Sequence, residues 1–507
     1  MKTFSSFFVT LAFSPLPVGA GGCSCAGNDG SPSDADADTD TDTGPDADTD
    51  SDTGEIVDAG GDAGDAATDA GIPPGYDCGG SDVLEVRMVE IARFDPATDL
   101  PIEGATLVVD CEGGRIEATT NADGIARAYR LDLVGDPADV TLYKAGYTTR
   151  TLYDVGGDRT VPKTLRVPLA TRANVPFTRL DGDLGRSADP SGVLVSVRGG
   201  GYIATAEDPF YQVALADDYP GVARLTGIEW AIGGGGTGTL ISFVEDVLDP
   251  KAASAPTLDF PAVYDNVERF DVTVTYDVLA GSPLENRLAL DDDDPDPTRA
   301  YYGAIVTDQE DSTNARNILG LTESSTVVGT DETFHVAYAD EMEGSPILIV
   351  IAASDDRKVY STLRSNVVPP DPERLFVVED PPDADVDPDV VNEYPETTVI
   401  LSGARWANIR SVSFVAVGSE QAYGGTAAFW TLTVPTDRIG WRLPDPPTGV
   451  AWPALLPAFG NFAIVVTGTE YAEDPLQNYA LFDDRDFGRN HFLRSSADGR
   501  YLGRLVE

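Results

Sequence analysis

The chain has 507 residues, with 34 Lys plus Arg against 85 Asp plus Glu, a formal charge of −51 and a pI near 4.1. Nucleic-acid binding needs a basic patch to displace counterions from phosphates, and no stretch supplies one; the same count excludes a juxtamembrane polybasic anchor. At roughly 100–200 residues per domain the length allows three or four domains, and a composition of 42% apolar and 8% aromatic residues with 51 Gly and 36 Pro suits all-β modules with long turns.

Lys2 is the only basic residue before Arg87, and it precedes a mostly apolar stretch from Phe4 to Phe13. Pro15, Pro17 and the small residues Val18 to Gly22 follow, ending at Cys23. A charged start, a short apolar segment and a small-residue exit describe a secretory signal peptide over residues 1–22. The apolar segment is too short to span a bilayer, which takes about 20 residues. Two cleavage readings compete. Ala20-Gly21-Gly22-Cys23 resembles a bacterial lipobox, which implies that Cys23 is the acylated first residue of the mature chain and reaches the membrane through a lipid anchor. Its departure is Ala20, where lipoboxes usually carry Leu. Val18-Gly19-Ala20 is itself a site for ordinary signal peptidase, which would release a soluble protein. The first reading places the protein at the outer membrane or cell surface, the second in the periplasm or the medium.

Residues 23–80 form an Asp-rich tether with almost nothing that could build a core. Asp alternates with small residues from Asp34 to Asp42 and again from Asp46 to Asp52, and no Lys or Arg intervenes. Like charges extend such a chain, and it cannot bury enough apolar surface to offset its ordering entropy. Disorder is the expectation. Asp38-x-Asp40-x-Asp42-x-Gly44 recurs as Asp48-x-Asp50-x-Asp52-x-Gly54 and resembles the calcium loops of EF-hands and thrombospondin type 3 repeats. In an EF-hand the Gly stands sixth and a Glu closes the site at the twelfth position. Here the Gly stands seventh and that Glu is missing, so a plain acidic spacer is the favoured reading. Cys78 and Cys111 flank the start of the first folded segment, and export permits a disulfide between them. With about 30 residues between the partners such a bond adds a few kcal/mol.

From Ser81 the pattern turns to strands: Val83–Met88, Pro101–Val109, a turn over Thr119–Gly124 between strands, Leu142–Tyr147, and a last strand near Thr164–Leu169. Asp95-Pro96-Ala97 is read as a loop. The elements Pro101-Ile102-x-Gly104-Ala105, Thr120-x-x-Asp123-Gly124 and Lys144-x-Gly146-Tyr147 resemble the carboxypeptidase regulatory-like family, itself similar to transthyretin-like and collagen-adhesin B-type repeats. The resemblance covers residues 81–170. It implies a seven- or eight-stranded sandwich used as a spacer or recognition module, with no catalytic residues to transfer.

Beyond Arg172 strand candidates continue at Val193–Arg198, Thr239–Val244, Phe270–Tyr276, Phe334–Tyr338, Ile347–Ala352, Thr398–Leu401, Val412–Val417, Trp430–Val434 and Phe462–Thr467. Several alternate apolar with polar residues, the period of a half-buried antiparallel strand, whereas Ile347–Ile351 is continuous, as expected of a strand covered on both faces. Composition divides this part into sandwiches at 171–262 and 263–368, a Pro/Asp-rich linker at 369–392, and a final sandwich at 393–507 holding Trp406, Trp430, Trp441 and Trp452. These later modules loosely resemble the Ig-like or carbohydrate-binding-like sandwiches of bacterial surface lipoproteins. The expected fold class is therefore all-β: tandem antiparallel β-sandwiches, Ig-like or prealbumin-like, after an acidic tether.

No catalytic, metal or cofactor site emerges. His335 sits on a strand and His491 in a loop, neither in a metal-binding spacing. Gly233 to Gly236 lacks the Lys of a phosphate loop, and no nucleophile elbow is present. Asp291–Asp294 with Asp296 reads as a solvated loop tip rather than a calcium site. The final Trp residues could stack on sugar rings, although core filling by Trp430 and Trp406 is the favoured reading. The function expected is structural, adhesive or ligand-presenting and non-catalytic; a carbohydrate-binding surface protein is the alternative. Partners are then the membrane, through the lipid anchor, and a protein or neutral glycan. The first 80 residues hold 16 of the acidic groups and one Lys, so the modules themselves are acidic, which disfavours strongly anionic glycans.

Overall fold

In the computed structural model the described residues run from 78 to 500, less 278–299, 308–317, 387–397, 417–427, 452–461, 480–491 and shorter stretches between strands. Every regular element among them is a strand.

The first segment contains eight: β1 (Asp82–Ala92), β2 (Asp95–Pro101), β3 (Thr106–Cys111), β4 (Gly114–Thr119), β5 (Ile125–Leu131), β6 (Ala138–Tyr143), β7 (Thr149–Val155) and β8 (Thr164–Pro168). They divide four and four. β1 pairs with β2 and β5 antiparallel and with β8 in parallel, while β4, β3, β6 and β7 lie side by side in a second sheet. Leu84, Val86 and Met88 face Leu107, Val109, Val140 and Leu142 across a closed apolar core. The alternation along β1, with Val83, Glu85 and Arg87 facing away from that core, is the signature of a strand buried on one face. Cys78 and Cys111 are joined by a disulfide with a Cα–Cα distance of 5.9 Å, tying the entry to β1 to the end of β3. The stretch from Asp95 to Pro101, read from sequence as loop and strand start, is strand throughout. It pairs with the end of β1 across a bulge at Ile91/Ala92.

The second segment holds β9 (Phe177–Gly185), β10 (Gly192–Val197), β11 (Gly200–Thr205), β12 (Phe210–Ala216), β13 (Ala223–Ile232), β14 (Gly238–Leu248) and β15 (Leu258–Asp259). Sheets β11-β10-β13-β14 and β12-β9-β15 close over Val193, Val195, Tyr211, Val213, Leu225 and Leu258. The third comprises β16 (Val267–Asp277), β17 (Ala300–Thr307), β18 (Ile318–Ser324), β19 (Asp331–Ala339), β20 (Ile347–Ser354) and β21 (Val359–Ser365).

Two strands, β22 (Phe376–Glu379) and β23 (Asp383–Val386), fall inside 369–392, which composition marks as a linker. β22 pairs in parallel with β16 and buries Phe376 and Val378. The prolines around this run mark its ends; the apolar alternation between them is long enough for a short edge strand.

The final segment contributes β24 (Thr398–Ser402), β25 (Ile409–Ala416), β26 (Ala428–Pro435), β27 (Gly440–Arg442), β28 (Phe462–Tyr471) and β29 (Phe492–Arg500). Its strands do not stand apart at the end of a row. A twelve-stranded sheet runs β18-β17-β20-β21-β29-β28-β25-β26-β7-β6-β3-β4, so the final segment lies between the third and the first. β21 joins β29 antiparallel, and β26 joins β7 in parallel.

Side chains reinforce the β26–β7 seam. The Trp430 indole N–H donates to Thr151 Oγ1 at 3.0 Å, and Ile409, Tyr471, Leu476 and Tyr479 enter the core of the first segment. Arg438 donates to Asp139 and Asp154 at 2.8 and 2.6 Å, with its guanidinium 4.6 Å from the Tyr153 ring centroid. Arg115 donates to the carbonyls of Asp445 and Pro446, and Glu117 accepts from Thr448. At this seam desolvation pushes the Asp110 carboxyl up to about 6, against the opposing pull of Arg115 at 3.8 Å. A carboxyl raised in the fold contributes stability that is full below its unfolded value near 3.8 and is lost as pH rises through about 6. Asp110→Asn therefore melts higher than the parent at pH 7, and the difference fades towards pH 4; equal melting temperatures at pH 7 would contradict the assignment.

Candidate functional site

The three motifs of the first segment meet in the structure. Thr120 Oγ1 donates to the Ile102 carbonyl at 2.6 Å and accepts from the Ala105 amide at 2.8 Å, clamping the β2–β3 connection. Asn121 Oδ1 accepts from the amides of Asp123 and Ile125, an Asx turn that starts β5. Gly124 has φ +75°, and a Cβ there would lie 2.4 Å from the Met88 carbonyl oxygen, so only glycine fits. Lys144 donates to the carbonyls of Glu103 and Gly104, and Tyr147 donates to Glu90 at 2.7 Å. Thr120, Asn121, Lys144 and Tyr147 hold loops to sheets with their side-chain polar groups occupied, while the Asp123 carboxylate stays exposed.

What they position is the outer face of the β8-β1-β5 strands. A cleft of about 390 Å³ opens there, lined by Glu85, Arg87, Pro101, Asp123, Ile125, Thr164 and Arg166. Register sets Arg87 on the central strand directly between Arg166 of β8 and Ile125 of β5. Arg166 is buried, and two of its nitrogens bond both oxygens of Asp99 at 2.9 and 2.7 Å. Glu85 accepts from Thr164 at 2.5 Å and Arg127 at 2.6 Å, and these two, Thr164 first, hold its carboxyl below the ordinary range despite opposing desolvation. Arg87 is half-buried and has no hydrogen-bond or ion-pair partner among the described residues. Asp123 stands exposed at the rim. The cleft thus holds two engaged charges, Glu85 and Arg166, on its walls, one exposed carboxylate at its rim and one open guanidinium on its floor.

The residues singled out from sequence lie elsewhere. Cys23 and the tether up to residue 77 are outside the described residues, as are His491, Gly233 to Gly236, Asp291 to Asp296 and Trp452. Cys78 and Cys111 are bonded to each other. His335 is exposed on β19 and contacts only Asp271 of β16 through Nδ1 among the described residues. Trp430 is fully buried against Phe414 and faces the seam. Trp406 is half-buried with its N–H donated to the Asp380 carbonyl. Trp441 lies on β27, its side chain outside the described set. Among the described residues no group of three potential metal ligands forms, and no helix is long and apolar enough to cross a membrane. Sequence reasoning did not single out Arg87. The signal available was a basic residue at an outward position of an alternating strand in a chain with few bases, and that alone does not reveal which neighbours are already engaged.

No protein-family model matches the chain, and no curated protein matches it. Among solved structures, a candidate adhesin from Bacteroides ovatus aligns over 41% of this chain and 94% of its own at 12% identity and a TM-score of 0.13. The Bacillus anthracis TIE protein aligns over 59% of this chain and 51% of its own at 12% identity and a TM-score of 0.15. A calcium-stabilised, ice-binding adhesin of an Antarctic bacterium aligns over 78% and 96% at 13% identity and a TM-score of 0.11. TM-scores of this size do not establish a shared arrangement of modules.

Proposed function

We propose that this is an exported, lipid-anchored surface protein without catalytic activity, acylated at Cys23. Its role is adhesive or ligand-presenting, with the Asp-rich segment 23–80 as a spacer. The carboxypeptidase regulatory-like sandwich at 81–170 is followed by sandwiches at 171–262, 263–368 and 393–507. The observation that carries this reading is the use made of polar side chains on the first and last segments: Arg438, Arg115, Glu117, Thr120 and Lys144 all brace strands or loops. Polar groups spent this way suit a scaffold that offers a surface. The neutral-glycan alternative has less support, since Trp430 and Trp406 already use their indole N–H groups within the fold.

Mass spectrometry of the mature N-terminus, with fractionation of Cys23→Ser, tests the proposal. A diacylglyceryl adduct on Cys23 and release of the variant into the soluble fraction are expected. A mature chain beginning at Gly21 without lipid would replace the anchor with secretion. Turnover of a surface polymer by the purified protein, lost on one carboxylate substitution, would overturn the non-catalytic role.

A further inference from the structure

We infer that the cleft on the outer face of β8-β1-β5 is a peptide-binding site, and that Arg87 on its floor receives a side-chain or terminal carboxylate of the bound segment; this names the ligand class of the presenting role proposed above.

A half-buried guanidinium has lost part of its hydration, and the loss is recovered only when a partner supplies acceptors. Of the other charges lining the cleft, Arg166 and Glu85 already have partners, and Asp123 stands exposed at the rim. Arg166 is closed off by both oxygens of Asp99, and Glu85 by Thr164 and Arg127. Arg87 is thus the group whose donors remain available among the described residues, and its planar fork matches a carboxylate through two parallel bonds.

Four features select the rest of the ligand. The chain carries −51, so it repels polyanions at long range; a ligand bearing one carboxylate on an otherwise neutral body is admitted where a charge-dense polymer is not. Ile125 and Pro101 give the cleft an apolar side that suits aliphatic side chains. Among the described residues no aromatic ring lines it, so they offer no stacking platform of the kind sugar rings use. At the rim, Asp123 can accept N–H groups that a peptide supplies. A carboxylate-bearing peptide fits these conditions better than an acidic sugar.

The test measures binding of a fluorescein-labelled Ala-Ala-Glu-Ala-Ala peptide with blocked termini, and of its Gln counterpart, to the purified full chain at physiological salt. The Glu peptide is expected to bind about fivefold tighter or more. Arg87→Gln erases that preference, whereas Arg127→Gln, the same charge change in the neighbouring ion pair, preserves it. Arg87→Lys keeps the charge but loses the fork, so it retains less than half of the preference and covers the case in which the Gln variant misfolds. Equal binding of the two peptides overturns the site. Equal effects of the Arg87 and Arg127 variants overturn it in favour of long-range charge alone. Displacement of the peptide by methyl glucuronide at concentrations below the unlabelled peptide's own overturns the peptide class in favour of an acidic sugar. Because binding is read on purified protein, a failed localisation experiment leaves this result standing, and a failure here leaves the surface location untouched.

Discussion

Trp430→Ala is expected to destabilise the fold by about 3–5 kcal/mol, the range for emptying a large aromatic site in a core. Trp430 has no exposed surface, its ring centroid lies 6.4 Å from that of Phe414, and its N–H is bonded to Thr151 on the neighbouring strand of the first segment. Truncation therefore opens a cavity and removes one of the two hydrogen bonds of the Thr151 hydroxyl, which keeps its bond to Thr141, at the one place where residues 149–152 and 430–433 pair. The parallel pairing of β26 and β7 uses backbone groups that no side-chain change removes directly, so the seam loosens rather than vanishes. Urea unfolding followed by circular dichroism should show the midpoint falling, with probes on the first and last segments shifting together. A shift confined to the final segment would mean that the seam does not couple them. Trp430→Phe keeps an aromatic ring but removes the hydrogen bond together with three buried ring atoms, so its expected loss, about 1–3 kcal/mol, falls below that of the Ala variant.

The second large effect is at the disulfide. Cys78 and Cys111 are 33 residues apart, and closing a loop of that length in the unfolded chain contributes about 3–4 kcal/mol in the chain-entropy model. The double variant Cys78→Ala/Cys111→Ala should lose that amount. The parent treated with a thiol reductant should lose the same, because the bond and not the packing of either sulfur dominates. Cys78 is buried beside the first core, so a small packing term adds to the variant alone. Thermal melts of parent, reduced parent and variant separate the two contributions. A parent insensitive to complete reduction would show that the entry to β1 is held by its sheet pairing instead.

Much of the architecture is visible in the amino-acid order because one-sided burial leaves a period of two. β1, with Leu84, Val86 and Met88 inward and Glu85 and Arg87 outward, is legible for that reason. β7 is not. Its residues Thr149, Arg150, Thr151, Leu152 and Tyr153 are all buried, because both faces and the outer edge are covered, so alternation disappears and Thr and Arg resemble a loop. Thr151 is accommodated by hydrogen bonds to Thr141 and to Trp430, 279 residues away, a partner that no local pattern announces. The same blindness applies to the order of segments in the long sheet. An edge strand is completed through backbone groups common to every residue, so composition cannot say which edge meets which. At the cleft, the Thr120–Gly124 motif is legible as a turn, whereas Leu142–Tyr147 reads as a strand and in the structure leaves it after Tyr143 for a turn at 145–146. Arg87 matters through what its neighbours have already used.

The bond between Cys78 and Cys111 also governs how the protein bears a pull. Tension arriving along the chain from the N-terminal side of Cys78 crosses the sulfurs to Cys111, the last residue of β3, and continues into β4, leaving residues 79–110 out of the covalent path. From β4 the force spreads sideways through β3, β6 and β7 into β26 and the strands of the final segment, resisted by ladders of hydrogen bonds. At about 3.3–3.6 Å per extended residue, the bypassed stretch amounts to roughly 110 Å of contour length that cannot pay out while the bond is intact. Oxidised protein stretched from its ends should therefore be shorter at full extension than reduced protein by that length, which makes the bond a stop as well as a staple.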